Sequence, residues 1–211
     1  VEKDQLEELQ LNIIRSHCAN VGTPLGEADT RAMLLLRANV LAKGYSGVRI
    51  ELVELLIDIL NRGVHPVIPT QGSVGSSGDL SPLAHLAAVL IGEGHAMVDG
   101  KKLDGASALA KVGLKPIRLS FKEGLSLING TQYMTGLGAL LLFKAEEMAD
   151  LADLICATSL EGILGSPRAY ADWVQDVRPF AGQKAAAANL RHFMKESEIA
   201  KSHEKCDRVQ D

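Results

Sequence analysis

Apolar positions along this chain recur mostly at intervals of three and four. Leu6, Leu9 and Ile13 have that spacing and predict an amphipathic helix over residues 3–16. The stretch "VGTPLGEADT" interrupts it, and a second helix is expected from Glu27 to Lys43, with Met33, Leu36 and Val40 as its apolar face and Gly44 at its end. A third runs from Ile50 to Arg62 and stops at Gly63. The irregular run "VHPVIPTQGSVGSSG" follows, and long loops in compact domains are often functional. Ser81 as N-cap and Pro82 at the first helical position then open a helix through "LAHLAAVLI". "HAMVDGKKL" reads as a hairpin turning at Asp99-Gly100.

A long helical stretch from Gly130 to about Leu164 carries a stripe of Leu137, Leu140, Leu141, Met148 and Leu151, so long an apolar surface that it is expected to be buried against other helices, including those of neighbouring copies. Two shorter helices are predicted over residues 169–177 and 183–195. Only residues 94–103 suggest strands, so the fold class is mainly α. Its N-terminal domain, residues 1–115, contains the irregular loop and the small hairpin. Residues 116–211 begin a long-helix bundle.

Composition narrows this reading. Of the 211 residues 46% are hydrophobic but only 4% aromatic, so Leu, Ala, Ile and Val fill the core, which favours packed helices over a sheet sandwich. A net charge of -4 argues against a nucleic-acid surface. Cys18, Cys156 and Cys206 are odd in number and widely spaced, which points to reduced thiols and a cytoplasmic location. No segment offers about 18 uninterrupted apolar residues, so no membrane span is expected. The chain begins at Val and ends at "CDRVQD", and is expected to be part of something longer.

The loop "GSVGSSGDL" raises the question of chemistry. It lacks the lysine and spacing of a phosphate-binding loop, and no serine stands in a nucleophile-elbow frame. His203 and Cys206 are a lone pair, so no metal is expected. One option does explain the residue types. In a strained X-Ser-Gly tripeptide, the unhindered amide nitrogen of Gly78 can attack the carbonyl carbon of Ser76. Loss of water, then of the Ser77 hydroxyl, leaves a methylene conjugated to a five-membered ring, a carbon electrophile that no standard side chain provides. Asp79 is adjacent and can handle protons during the dehydrations. The following helix points its N-terminal dipole at the loop.

"GSVGSSGDLSPLAHLA" resembles the signature of the methylidene-imidazolone (MIO)-dependent ammonia-lyases and aminomutases. "NIIRSHCANVG", "NVLAKGYSG", "EGLSLINGTQ" and "SEIAKSHEKCDRVQD" extend the resemblance over essentially the whole chain, most closely to the members that deaminate histidine. The resemblance implies that Ser77 supplies the methylene while Ser76 and Gly78 close the ring, with MIO as the cofactor. It implies that Asn129 and Gln132 lie beside this group and the substrate amine or carboxylate, that His17 of the Ser16-His17 pair contacts the imidazole ring, and that Gln210 lies near the substrate. Read by themselves, Asn129 and Gln132 are also a helix-start cap and a solvent-facing polar residue, and Ser16-His17 is also a helix C-terminus. Ser76 stands where the family usually has Ala, and only its carbonyl takes part in cyclisation. The family's catalytic tyrosine is expected before residue 1, and a further tyrosine and the carboxylate-binding arginine after Asp211.

The implied function is non-oxidative deamination of L-histidine to urocanate, by a homotetramer with active sites shared between chains. Its partners are a small-molecule amino acid and further copies of itself, with no nucleic acid and no membrane. The alternatives are another MIO enzyme, either a tyrosine or phenylalanine ammonia-lyase or a 2,3-aminomutase, or a non-catalytic helical fragment.

Overall fold

A computed structural model describes residues 3–205; Gln210 and Cys206 lie outside the described residues. Helix α1 (Lys3–His17) is followed by a short strand β1 (Val21–Pro24), then α2 (Glu27–Ala42) and α3 (Ile50–Asn61). The loop region holds β2 (His65–Pro66) and β3 (Pro69–Gln71) ahead of α4 (Leu80–Leu90). The hairpin β4 (His95–Val98) and β5 (Lys101–Asp104) leads into α5 (Gly105–Lys111) and α6 (Glu123–Ile128). Then come the 31-residue α7 (Gln132–Gly162), a 3-10 turn (Pro167–Tyr170), α8 (Asp172–Asp176), α9 (Ala181–Phe193) and α10 (Glu198–Ser202). The fold is mainly α, as the helical periodicity predicts.

The contacts within the chain divide it into two units, Val1–Leu140 and Leu141–Asp211. The first is built on one apolar core. Ile14 of α1, Met33 and Leu34 of α2, Leu52, Leu56 and Ile59 of α3, and Leu83, Leu86 and Leu90 of α4 are fully buried in it. Leu127 and Ile128 of α6 join them. Helix α2 packs on α3, while α1, α4 and α6 pack on one another. In the second unit Leu190 and Met194 pack with Ala157, supported by Leu160 and Tyr170. The Arg191 guanidinium there donates to the Tyr170 carbonyl at 2.5 Å and to Asp172 at 2.6 Å.

Several expectations need correction. The buried stripe of α2 is Thr30, Met33, Leu34, Arg37, Ala38 and Leu41, with Val40 exposed, so the packed face is rotated from the one expected. Helix α4 begins at Leu80, with Asp79 rather than Ser81 at the N-cap position. Ser81 instead donates its hydroxyl to Asn20 Oδ1. The expected helix over 169–177 is broken into the 3-10 turn and α8. The hairpin turns at Asp99-Gly100, both with positive φ and with Val98 opposite Lys101. Three further short strands escaped the sequence pattern because each pairs with a distant partner. Thus β1 pairs antiparallel with β3, Val21 opposite Gln71, and β2 with β4. Within the single chain, Leu141, Met148 and Leu151 of the α7 stripe are exposed, beside Leu142, Phe143 and Ile155, which leaves the expectation of cover by neighbouring copies untouched.

Candidate active site

The loop is pinned at its base by groups far away in the chain. Asn20, buried at the start of β1, donates its amide to the Pro69 carbonyl at 2.6 Å and accepts from Ser81. The Asn20 backbone N–H donates to His85 Nε2 at 3.2 Å. Burial lowers the pKa of His85, consistent with a neutral ring whose Nε2 accepts. From the other side Tyr133, near the start of α7, donates its hydroxyl to the Thr70 carbonyl at 2.7 Å. With both β3 and the start of α4 held, residues 72–78 must turn within a fixed span.

That turn uses left-handed backbone. Ser77 has φ 60° and Gly78 φ 118°, and for a serine this region is strained by roughly 1–2 kcal/mol. Ser76 and Ser77 are exposed, whereas Gly78 and Asp79 are buried. A Cβ on Gly78 would lie 3.0 Å from the Gly130 carbonyl oxygen, 3.1 Å from the Gly130 nitrogen and 3.2 Å from Asn129 Oδ1. Only glycine has both the dihedral freedom and the room for this approach.

Asp79 locks the turn to α7. Its backbone N–H donates to the Gly130 carbonyl at 2.7 Å. Its carboxylate accepts from the Ser73 hydroxyl at 2.6 Å and from the Met134 backbone N–H at 3.0 Å. Met134 is the third residue of α7, so Asp79 satisfies one of the donors that a helix start leaves free. Both carboxylate oxygens of this fully buried side chain are therefore engaged in holding geometry.

Ser16 and His17, the last two residues of α1, come to the same place. They line a cleft of about 310 Å³ together with Gly72, Ser73, Ser76, Gly78 and Ser81. His17 Nδ1 sits 2.7 Å from the Ile13 carbonyl oxygen, an acceptor only, so Nδ1 carries the ring proton. In the neutral ring Nε2 then carries the lone pair. The helix-terminal contact expected of a histidine at this position is thus present, and it sets the tautomer of a cleft residue.

Asn129 is exposed at the end of α6, with Oδ1 against Gly78. Gln132 is different. It is buried, and its side-chain oxygen accepts from Arg37 Nη1 at 2.7 Å. Sequence reading missed Arg37, which stands in the apolar-looking helix "RAMLLLRANVLA"; only the placement of a charge on the packed face of α2 could have signalled it. Gln210 lies outside the described residues.

A larger cleft, of about 440 Å³ and lined in part by Glu27, His65, Asp99 and Lys102, contains none of the expected site residues. Among the described residues no group of three or more His, Cys, Asp or Glu side chains is placed to hold a metal. Among the described residues no helix is long and apolar enough to cross a membrane.

The chain as a whole resembles known proteins. The family model for aromatic amino acid lyases matches residues 1–211. Histidine ammonia-lyase of Gloeobacter violaceus is 56% identical over 211 residues, all of this chain and 41% of the relative. That of Stigmatella aurantiaca is 54% identical over the same lengths. Among solved structures, histidine ammonia-lyase of Trypanosoma cruzi superposes with a TM-score of 0.86 at 46% identity, covering 90% of this chain and 37% of that one. Phenylalanine aminomutase of Pantoea agglomerans gives 0.89 at 35%, covering 100% and 42%. The chain spans about two fifths of the length of the curated relatives it matches. By its sequence over every residue and by its fold, the chain belongs to the aromatic amino acid lyase family.

Proposed function

We propose that the protein containing this chain is a histidine ammonia-lyase, which eliminates ammonia from L-histidine to give urocanate on an electrophile built from Ser76, Ser77 and Gly78. The observation that carries this reading is the clamped, left-handed turn at Ser77-Gly78 opening on a cleft lined by His17. It is supported by relatives of that name.

The residues present fit the group. The Gly78 amide nitrogen bonds to the Ser76 carbonyl carbon, whose oxygen leaves as water with the Gly78 and Ser77 amide hydrogens. Ser77 then loses its hydroxyl and α-hydrogen as a second water. A Cβ at Gly78 would crowd Asn129 and Gly130, so the close approach depends on glycine. Once formed, MIO supplies a carbon electrophile for the substrate. Helices α4 and α7 both begin at this turn, and their N-terminal ends favour negative charge developing there. Asp79 fixes the turn and is the sole carboxylate of residues 72–80. Asn129 lies within reach of the same turn, while Gln132 acts from behind it through Arg37. His17 Nε2 offers a lone pair to a ring N–H of the substrate, the polarity an imidazole satisfies and a phenyl ring does not.

On the same reading the protein is a cytoplasmic homotetramer with shared active sites, and the exposed Leu141–Leu151 face of α7 lies between helices of the assembly. Residues 1–115 form the electrophile-loop domain, and residues 116–211 begin a long-helix bundle. The test is product identity with the full-length protein. Urocanate and ammonia from histidine, with a loop peptide lighter by two waters, are expected. A cinnamate-type or β-amino acid product would move the assignment within the family, and no ammonia release from any aromatic amino acid would overturn it.

A further inference from the structure

Arg37 is buried to 2% exposure on α2 and forms no ion pair with a carboxylate among the described residues. Burial without a counter-charge lowers its pKa to about 10. Buried charges are normally paired, because desolvating an ion costs more than neutral hydrogen bonds return. A leucine here would fill the same helical face at less expense, so the guanidinium calls for another explanation.

Its hydrogen bonds supply one. Nη2 donates to the Ser126 carbonyl and to the Asn129 carbonyl, the latter at 3.1 Å. Nη1 donates to Gln132 Oε1 at 2.7 Å. The two carbonyls belong to the last turn and C-cap of α6, where a helix leaves acceptors unsatisfied, and Gln132 is the first residue of α7. One planar fork therefore spans the whole α6–α7 corner. A Cβ on Gly130 would overlap both Arg37 Nη1 and Gln132 Oε1, so the corner closes tightly over the guanidinium. The opposite side of that corner is the wall behind Gly78: Gly130 accepts the Asp79 N–H, and Asn129 Oδ1 and Gly130 N bound the space next to the Gly78 Cα.

We propose that Arg37 is a positioning residue for ring closure, holding the Asn129–Gly130 peptide as the rigid surface against which the Gly78 amide is presented to Ser76. The inference rests on the cyclisation reading above. It also accounts for the use of arginine. A lysine ammonium is a point donor and cannot bridge two carbonyls and an amide oxygen in one plane. A displacement of this wall by about 1 Å is enough to slow an intramolecular reaction roughly 100-fold.

The test measures the fraction of loop peptide lacking two waters, over time after synthesis, in the folded and soluble fraction of the full-length protein. The parent, Arg37→Lys, Arg37→Met and Ser77→Ala are compared, with circular dichroism as the measure of folding. The expected result is a folded Arg37→Met that cyclises roughly 10- to 100-fold more slowly than the parent. Arg37→Lys should be intermediate, and Ser77→Ala should not change mass. A merely structural arginine would lower yield and melting temperature but leave every folded molecule cyclised at the parental rate, and that result overturns the proposal. Recovery of neither Arg37 variant as folded protein would assign the residue to the core and overturn it too. A parent that itself retains both waters would refute the cyclisation reading and the proposal with it, and is distinguished by the unmodified parent mass.

Discussion

Replacing Asp79 with alanine removes both acceptors that tie the loop to α7, the one facing Ser73 Oγ at 2.6 Å and the one facing Met134 N at 3.0 Å. Hydrogen bonds to an ionised group contribute about 1.5–3 kcal/mol each. Ser73 is half-buried and regains some of its loss by bonding water, so the lower end applies and the corner is destabilised by about 3 kcal/mol. The Met134 N–H bonds to the Asp79 carboxylate rather than to the Gly130 carbonyl four residues earlier, which accepts from Asp79 N. Local opening of the α7 start is then about 100-fold more frequent, read as faster hydrogen–deuterium exchange in a peptide covering residues 131–136. Asp79→Asn is the informative partner. Its oxygen still accepts from Met134, its amide donates to Ser73, and only the charge is lost, so exchange should rise about tenfold. Equal exchange in the two variants, or an alanine variant within threefold of the parent, would refute the assignment of Asp79 as the cap of α7.

Other tests reach different parts of the molecule. Gly78→Ala forces a left-handed φ on alanine and a Cβ against Gly130, and intact mass should show the two waters retained although the chain folds. Glu123 is buried, and although burial raises its pKa, hydrogen bonds from the Arg49 side chain and the Ser120 and Arg49 N–H groups hold it below the ordinary 4.5. Its contribution is therefore present above pH 4.5 and lost as pH falls through the lower folded value. Melting temperature against pH should fall less steeply there for Glu123→Gln than for the parent. Burial pushes the Cys18 thiol up to about 11, so at pH 8 iodoacetamide should modify exposed Cys156 well before Cys18, as mapped by peptide mass. Leu86→Ala, in the centre of α4, should destabilise the first unit by about 2–5 kcal/mol in denaturant unfolding.

Local signals account for the parts of this fold that can be read from sequence. Helices α2 and α3 announce themselves by apolar spacing and by glycines just past their ends, and the hairpin by Asp99-Gly100 between alternating residues. Helices α5 and α6 are only seven and six residues long, too short to display a period. Strand β1 exists because β3, almost fifty residues later, lies beside it, and nothing in "VGTP" encodes that pairing. The same division runs through the site. Ser76, Ser77 and Gly78 are conspicuous by composition, and His17 by its place in a recognisable stretch. Arg37 is invisible, because its three acceptors stand 89 to 95 positions away. Asp79 was legible as a residue but not in its work, since capping a helix from outside depends on where Met134 arrives. Ser81 had the composition of a cap and lost the position because its hydroxyl is needed at Asn20.

The clamp around Gly78 is made by Asn129, Gly130 and Met134, and its base by Asn20 and Tyr133, so it does not exist until the first unit has assembled. If the turn then cyclises, the loss of two waters is an irreversible record that a given molecule has been folded at least once. Unfolding the chain afterwards does not erase it. The mass of the loop peptide in a denatured sample would count the molecules that reached the native state, separating a variant that never folds from one that folds and later fails.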